Sequence, residues 1–97
     1  SAYAAAEKWD EAYQHWITIY EKSSGWKEKA KAASNLALYY EMDTKLKEAF
    51  DWASKSYALY EKNAGAENQY TKMQKLYMDA LSERLTSDTK LNMQIDR

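Results

Sequence analysis

Glu11 and His15 stand one helical turn apart, the spacing at which two side chains on one helix face can share a metal ion. A structural or catalytic metal needs three or four such ligands. His15 is the only histidine in a chain that has no cysteine, so a second pair cannot complete the set. The expectation is no metal and no cofactor, with His15 solvated or packed at an edge. Glu7, Asp10 and Glu11 gather acids on the same helix and read as a solvated face. No Ser/His/Asp arrangement, glycine-rich phosphate loop or pair of buried carboxylates can be assembled from the remaining residues, so no enzyme activity is expected.

Lys27, Lys29 and Lys31 bring three positive charges to one helix start. A nucleic-acid surface needs a continuous basic stripe, usually with exposed aromatics. Glu28 interrupts this one and the chain carries a net charge of −1, so nucleic acid is not expected as a partner. The aromatics are the richest feature, with nine Tyr and four Trp. Trp9 and Trp16 fall on an apolar stripe and read as core. Trp26 precedes a helix and suits a hydrophobic staple against Ala30 or a neighbour. Trp52 lies beside the stripe of Ala49, Ala53 and Ser56 rather than within it. It is the candidate aromatic anchor for a partner, or else it packs against an adjacent repeat.

The elements that must position these residues are helices. A chain of 97 residues is one domain or a piece of one. It has no proline, only Gly25 and Gly65 as glycines, and is rich in Ala, Lys, Glu, Leu and Tyr, a composition that points to an all-α fold. Without cysteine, disulfides and thiolate zinc sites are excluded. No apolar run approaches the length of a membrane span, so direct membrane insertion is not expected. Apolar periodicity predicts helices over about 2–22, 27–42, 45–62 and 67–85. The first is expected to run unbroken through Glu7 and Lys8 and to end with Gly25 in the left-handed position. Tyr70, Met73, Tyr77, Ala80, Leu81 and Leu85 share one side of the fourth. In the tail, 86–97, Leu91, Met93 and Ile95 alternate as in a strand, although Leu91 and Ile95 are also one helical turn apart; an irregular or extended tail is expected.

The stretch 34–57 organises the rest. Leu36, Ala37 and Tyr40 make one apolar helix face, and Leu46, Ala49, Phe50, Ala53, Ser56 and Tyr57 recur at steps of three and four. Between them Asp43 and Thr44 both suit a helix N-cap. So short a gap makes the helices antiparallel neighbours, with Leu36, Tyr40, Ala49, Phe50 and Ala53 buried. Leu36, Ala37 and Tyr40, followed by Leu46, Ala49, Ala53 and Ser56, resemble the tetratricopeptide repeat (TPR), a helix-turn-helix unit of roughly 34 residues. The departures are Thr44 where the family has Gly, Ala53 in place of an aromatic, and no closing Pro. A second copy lies upstream at a spacing of 37 residues: Trp9, Ala12, Tyr13 and Tyr20 align with Leu46, Ala49, Phe50 and Tyr57, and Tyr3 aligns with Tyr40.

The resemblance implies a short right-handed solenoid of antiparallel hairpins, whose first helices line a groove for a protein or peptide. Lys31, Ser34, Asn35, Leu38, Glu41 and Met42 would line it here. Asn35 would bind a peptide backbone or tie adjacent helices together. A glycan or small-ligand module is the alternative, requiring a cleft of exposed aromatics with polar groups between them; a structural end-cap is another. Ala5, Ala6, Trp9, Ala12 and Trp16, then Asn35, Leu36, Ala37 and Glu41, also resemble TPR regions of secreted lipoproteins of Bacteroidetes. That implies a periplasmic or cell-surface parent protein. The match at Tyr3 implies a start partway through a repeat, which would leave Trp9 and Trp16 partly bare and favour self-association through the first helix.

Overall fold

The computed structural model describes residues 2–95, with side chains from 10 to 88. It is all-α: α1 (Ala2–Lys22), α2 (Trp26–Met42), α3 (Leu46–Ala64) and α4 (Gln69–Ile95). The first helix is continuous through Glu7 and Lys8, as Ala-rich sequence there favours. The expected irregular tail is corrected: residues 86–95 continue α4. No glycine or proline follows Gly65 to stop the helix. A lone strand would also have left its backbone groups unpaired. The one-turn spacing of Leu91 and Ile95 was therefore the relevant period. Their side chains, like those of Tyr3, Glu7 and Trp9, lie outside the described residues.

The turns differ from expectation in instructive ways. Gly25 is extended (φ −88°, ψ 135°) and precedes α2 as its N-cap, so it is not the left-handed end of α1. Neither Asp43 nor Thr44 caps α3, whose N-cap is Lys45 with no side-chain cap bond. Instead these residues close α2. Lys45 N–H donates to Tyr40 O at 2.8 Å and Thr44 N–H to Glu41 O at 3.0 Å, the two bonds of a Schellman motif. Thr44 takes the left-handed residue of that motif (φ 60°) and its hydroxyl donates to Asp43 O at 2.6 Å. A β-branched residue is strained there. After α3 the chain turns at Gly65 (φ 92°, ψ 154°), in a region essentially reserved for glycine.

Small residues bring α2 and α3 together. Ser56 is fully buried and donates its hydroxyl to Ala30 O of α2 at 2.9 Å. The antiparallel register that joins Ser56 to Ala30 sets Ala53 opposite Ala33 and Ala49 opposite Ala37, and all four alanines are sealed from solvent. With methyls alone between the backbones, the helices approach closely and gain dispersion along the whole seam. Leu46 and Leu81 extend this core, while Tyr40, Phe50, Trp52, Tyr77 and Leu85 pack around it. Leu36 and Leu81 are the largest apolar side chains fully buried, each worth roughly 1.5–3 kcal/mol.

The molecule is a slab of 48 × 39 × 18 Å. Its radius of gyration is 15.2 Å, against about 12–13 Å for a compact domain of this length. A slab this thin has too little interior to swallow large rings. Among the described residues no aromatic side chain is fully buried. Tyr40 and Phe50, expected inside, are half-buried at the rim of the alanine seam, and Tyr70 and Met73 are exposed while Leu81 and Leu85 point inward. Trp16 is half-buried on α1. No helix is long and apolar enough to cross a membrane among the described residues.

Candidate functional site

Residues of α2 and α4 that lie 36 to 43 positions apart meet in the same order along both helices, so the two run parallel. Their meeting is made by long side chains. Gln74 Nε2 donates to Ser34 Oγ at 3.0 Å. Further along, Glu41 accepts on both oxygens, from Tyr77 OH at 2.7 Å and from Arg84 Nη1 at 2.7 Å. Burial pushes the Tyr77 phenol well above its usual range, and the hydrogen bond to the Glu41 carboxylate adds to this; Arg84 works the other way. These three bridges form the floor of a valley.

Its walls are apolar and open. Leu38 (45% exposed) and Met42 (70%) rise from α2, beside Ser34 and Glu41 at helical spacing. On α4, Met73 (61%) lies one turn from Tyr77 on the same face, and Leu76 (71%) stands further round the helix toward solvent. With Tyr70 these are the exposed large hydrophobic side chains among the described residues, and all of them belong to α2 or α4.

The six residues assigned to a groove therefore share this face, in different states. Lys31, Leu38 and Met42 are exposed. Ser34 and Glu41 are committed to the floor. Asn35 donates its amide to Lys31 O of its own helix at 3.0 Å, so it does not join helices, and its Oδ1 is left as an acceptor. Trp52 is elsewhere. It is half-buried at the meeting of α1 and α3, edge-on to Tyr20 at 4.9 Å, with Lys55 Nζ 4.1 Å from its ring centroid. Tyr13 and Tyr40 join α1 to α2 through their hydroxyls at 3.2 Å, and that bond, ahead of burial, pushes Tyr40 up to about 12.

His15 is exposed, with its ring against Trp16 at 5.0 Å. No group of three or more His, Cys, Asp or Glu could hold a metal among the described residues. Of the three lysines, Lys29 lies over Tyr20, Lys27 lies over Trp26 and Lys31 is exposed.

One feature escaped the sequence reading. At the N-terminal end of α2 an open cleft of about 410 Å³ is lined by Trp26, Lys27, Lys31, Tyr60, Asn68 and Tyr70. Trp26 is the first residue of α2 and packs edge-on against Tyr60 of α3 at 5.5 Å, instead of stapling to Ala30. Tyr60 in turn stacks with Tyr70 at 6.3 Å. The turn at Gly65 makes this possible by folding the start of α4 back beside the end of α3. The only local signal was a tyrosine on either side of a glycine turn.

Residues 1–83 match the model of a family described as a domain of unknown function (DUF6340). No curated protein and no solved structure matches the chain.

Proposed function

Because the chain belongs to the DUF6340 family, whose function is unknown, we propose its role from geometry: a TPR-like scaffold that holds a peptide segment of a partner protein in the α2–α4 valley. Several features support the repeat reading. Residues of α2 and α4 bond at offsets of 36 and 40, a little above one repeat length of roughly 34. The left-handed turn falls at Thr44, where the family carries Gly. Ala37, Ala49 and Ser56 of the α2–α3 seam stand at the family's small positions, although Ala53 replaces an aromatic.

The observation that carries the proposal is the confinement of exposed large hydrophobics to α2 and α4. Isolated exposed apolar residues need no explanation, but a set that flanks one valley marks a contact surface. Apolar side chains of a bound segment would seat between Leu38 and Met42 on one wall and Met73 on the other. Asn35 Oδ1 would accept a backbone N–H, giving the orientation that apolar contacts lack.

A random peptide library selected against the protein tests this. Enriched peptides should bind with roughly micromolar affinity, and Leu38→Asp with Met42→Asp should abolish binding while leaving the helical signal intact. If no peptide family enriches, or if enriched peptides bind the double variant equally well, the valley is not the site.

A further inference from the structure

We propose that the cleft beside Trp26, Tyr60 and Tyr70 is a separate site for an acidic saccharide. It is independent of the peptide reading and touches the valley only at Lys31.

The rings form a corner. Trp26 stands at 87° to Tyr60, whereas Tyr60 and Tyr70 are within 22° of parallel. The parallel pair, with centroids 6.3 Å apart, is already in stacking contact, so a ligand ring stacks on the outer side of Tyr70, which is 55% exposed. Such a platform covers one face of a ligand and leaves the other in water. A sugar ring tolerates that, because its C–H face can lie on the phenol while its hydroxyls stay solvated. A nucleobase would leave an apolar face bare.

The polar groups around the rings are mostly donors. Lys27 Nζ lies 5.9 Å from the Trp26 centroid, and neither Lys27 nor Lys31 has a carboxylate partner among the described residues. Of the acids flanking this end of the molecule, Glu67 pairs with Lys72 at 3.2 Å and Glu28 folds back over Gly25. Asn68 Oδ1 accepts from Tyr70 N–H at 2.9 Å, which orients the amide and leaves its NH₂ to donate. Burial and the neighbouring Tyr70 push the Tyr60 phenol up, so it stays a protonated donor. Two ammoniums, an amide and two phenols around three rings call for a ligand with a carboxylate, hydroxyls and one flat face. The volume of about 410 Å³ suits a small ligand.

Calorimetric titration of the whole chain decides this, using a glucuronic-acid disaccharide, its neutral methyl ester and a nucleoside monophosphate. The acidic disaccharide should bind saturably, about tenfold tighter than the ester, and weaken as salt rises. Lys27→Gln and Tyr70→Ala should each weaken it about tenfold, with an unchanged thermal melt for Lys27→Gln and a slightly lowered one for Tyr70→Ala, which loses its stack on Tyr60; Lys47→Gln, on an outer face of α3, should change nothing. No saturable binding, binding indifferent to Tyr70→Ala, or equal affinity for the ester would overturn the site. Tighter binding of the nucleoside monophosphate would overturn the saccharide assignment.

Discussion

Two contacts made by α2 differ in kind. Against α3 it lays down Ala30, Ala33 and Ala37, and the helices meet backbone to backbone with one buried hydroxyl between them. Against α4 it sends Ser34 and Glu41, and the helices meet through the tips of Gln74, Tyr77 and Arg84. The first contact excludes water and leaves no room. The second holds two helices at arm's length and leaves a valley with apolar walls. Small residues thus build the stable hairpin, and long polar ones build the open surface. A helix that did only the first would be structural filler; α2 does both on adjacent faces.

Overpacking the seam should have the largest effect. Ala49→Phe places a ring where the native residue has no exposed surface, and should cost about 3 kcal/mol. An unchanged denaturation midpoint would show that the seam can yield and is no different from the valley.

Weakening the valley floor should cost less. Glu41→Gln keeps the shape but removes the charge that Tyr77 and Arg84 bind, for a loss of about 1 kcal/mol. The sharper readout is hydrogen exchange: protection should fall in α4 and stay constant in the α2–α3 seam. Equal losses in both would mean the two contacts act as one unit.

The turn that joins the seam helices offers a gain. Thr44 pays about 1–2 kcal/mol for its left-handed backbone. Glycine would relieve that but add about 0.5–1 kcal/mol of unfolded-state entropy, so Thr44→Gly should stabilise by about 0.5 kcal/mol on balance. A destabilised variant would mean that the Thr44 hydroxyl bond to Asp43 O outweighs the strain.

The smallest effect is alkaline. Tyr40 and Tyr77 both hold their protons above the usual value of 10.0, Tyr40 to about 12. Below pH 10 both folded and unfolded chains are protonated there and the contribution is whole. As pH rises past 10, the unfolded chain releases those protons first, so stability should fall. Tyr77→Phe and Tyr40→Phe should each flatten that decline in melts taken across this range. An unaltered slope would remove these phenols from the account.

Much of this was legible in the residues. The alanines and Ser56 at steps of three and four announced a close hairpin, and the break in apolar periodicity at 42–45 marked its turn. What failed did so for physical reasons. Periodicity tells which side of a helix faces its neighbours but not how far those neighbours reach, so Tyr40 and Phe50 were placed deeper than an 18 Å slab allows. The tail offered a strand's period and a helix's, and it was expected to be irregular although no glycine or proline stood there to end α4. The six groove residues do share a face, yet Trp52 could be placed only once Tyr20 was known to lie against it. The cleft draws Trp26, Tyr60 and Tyr70 from three helices, and no local pattern brings such residues together.

Among the described residues, close backbone approach joins neighbours in the chain, α1 with α2, α2 with α3 and α3 with α4, while α1 and α3 meet through side chains such as Tyr20 and Trp52. Loop closure is therefore cheap at every step. Chains built from such local contacts fold in microseconds to milliseconds. The α2–α3 hairpin, with a three-residue turn and the driest seam, can form first and give α1 and α4 a surface to zip onto. Unfolding would run the other way, from the ends inward, so a protease would find the outer helices before the seam.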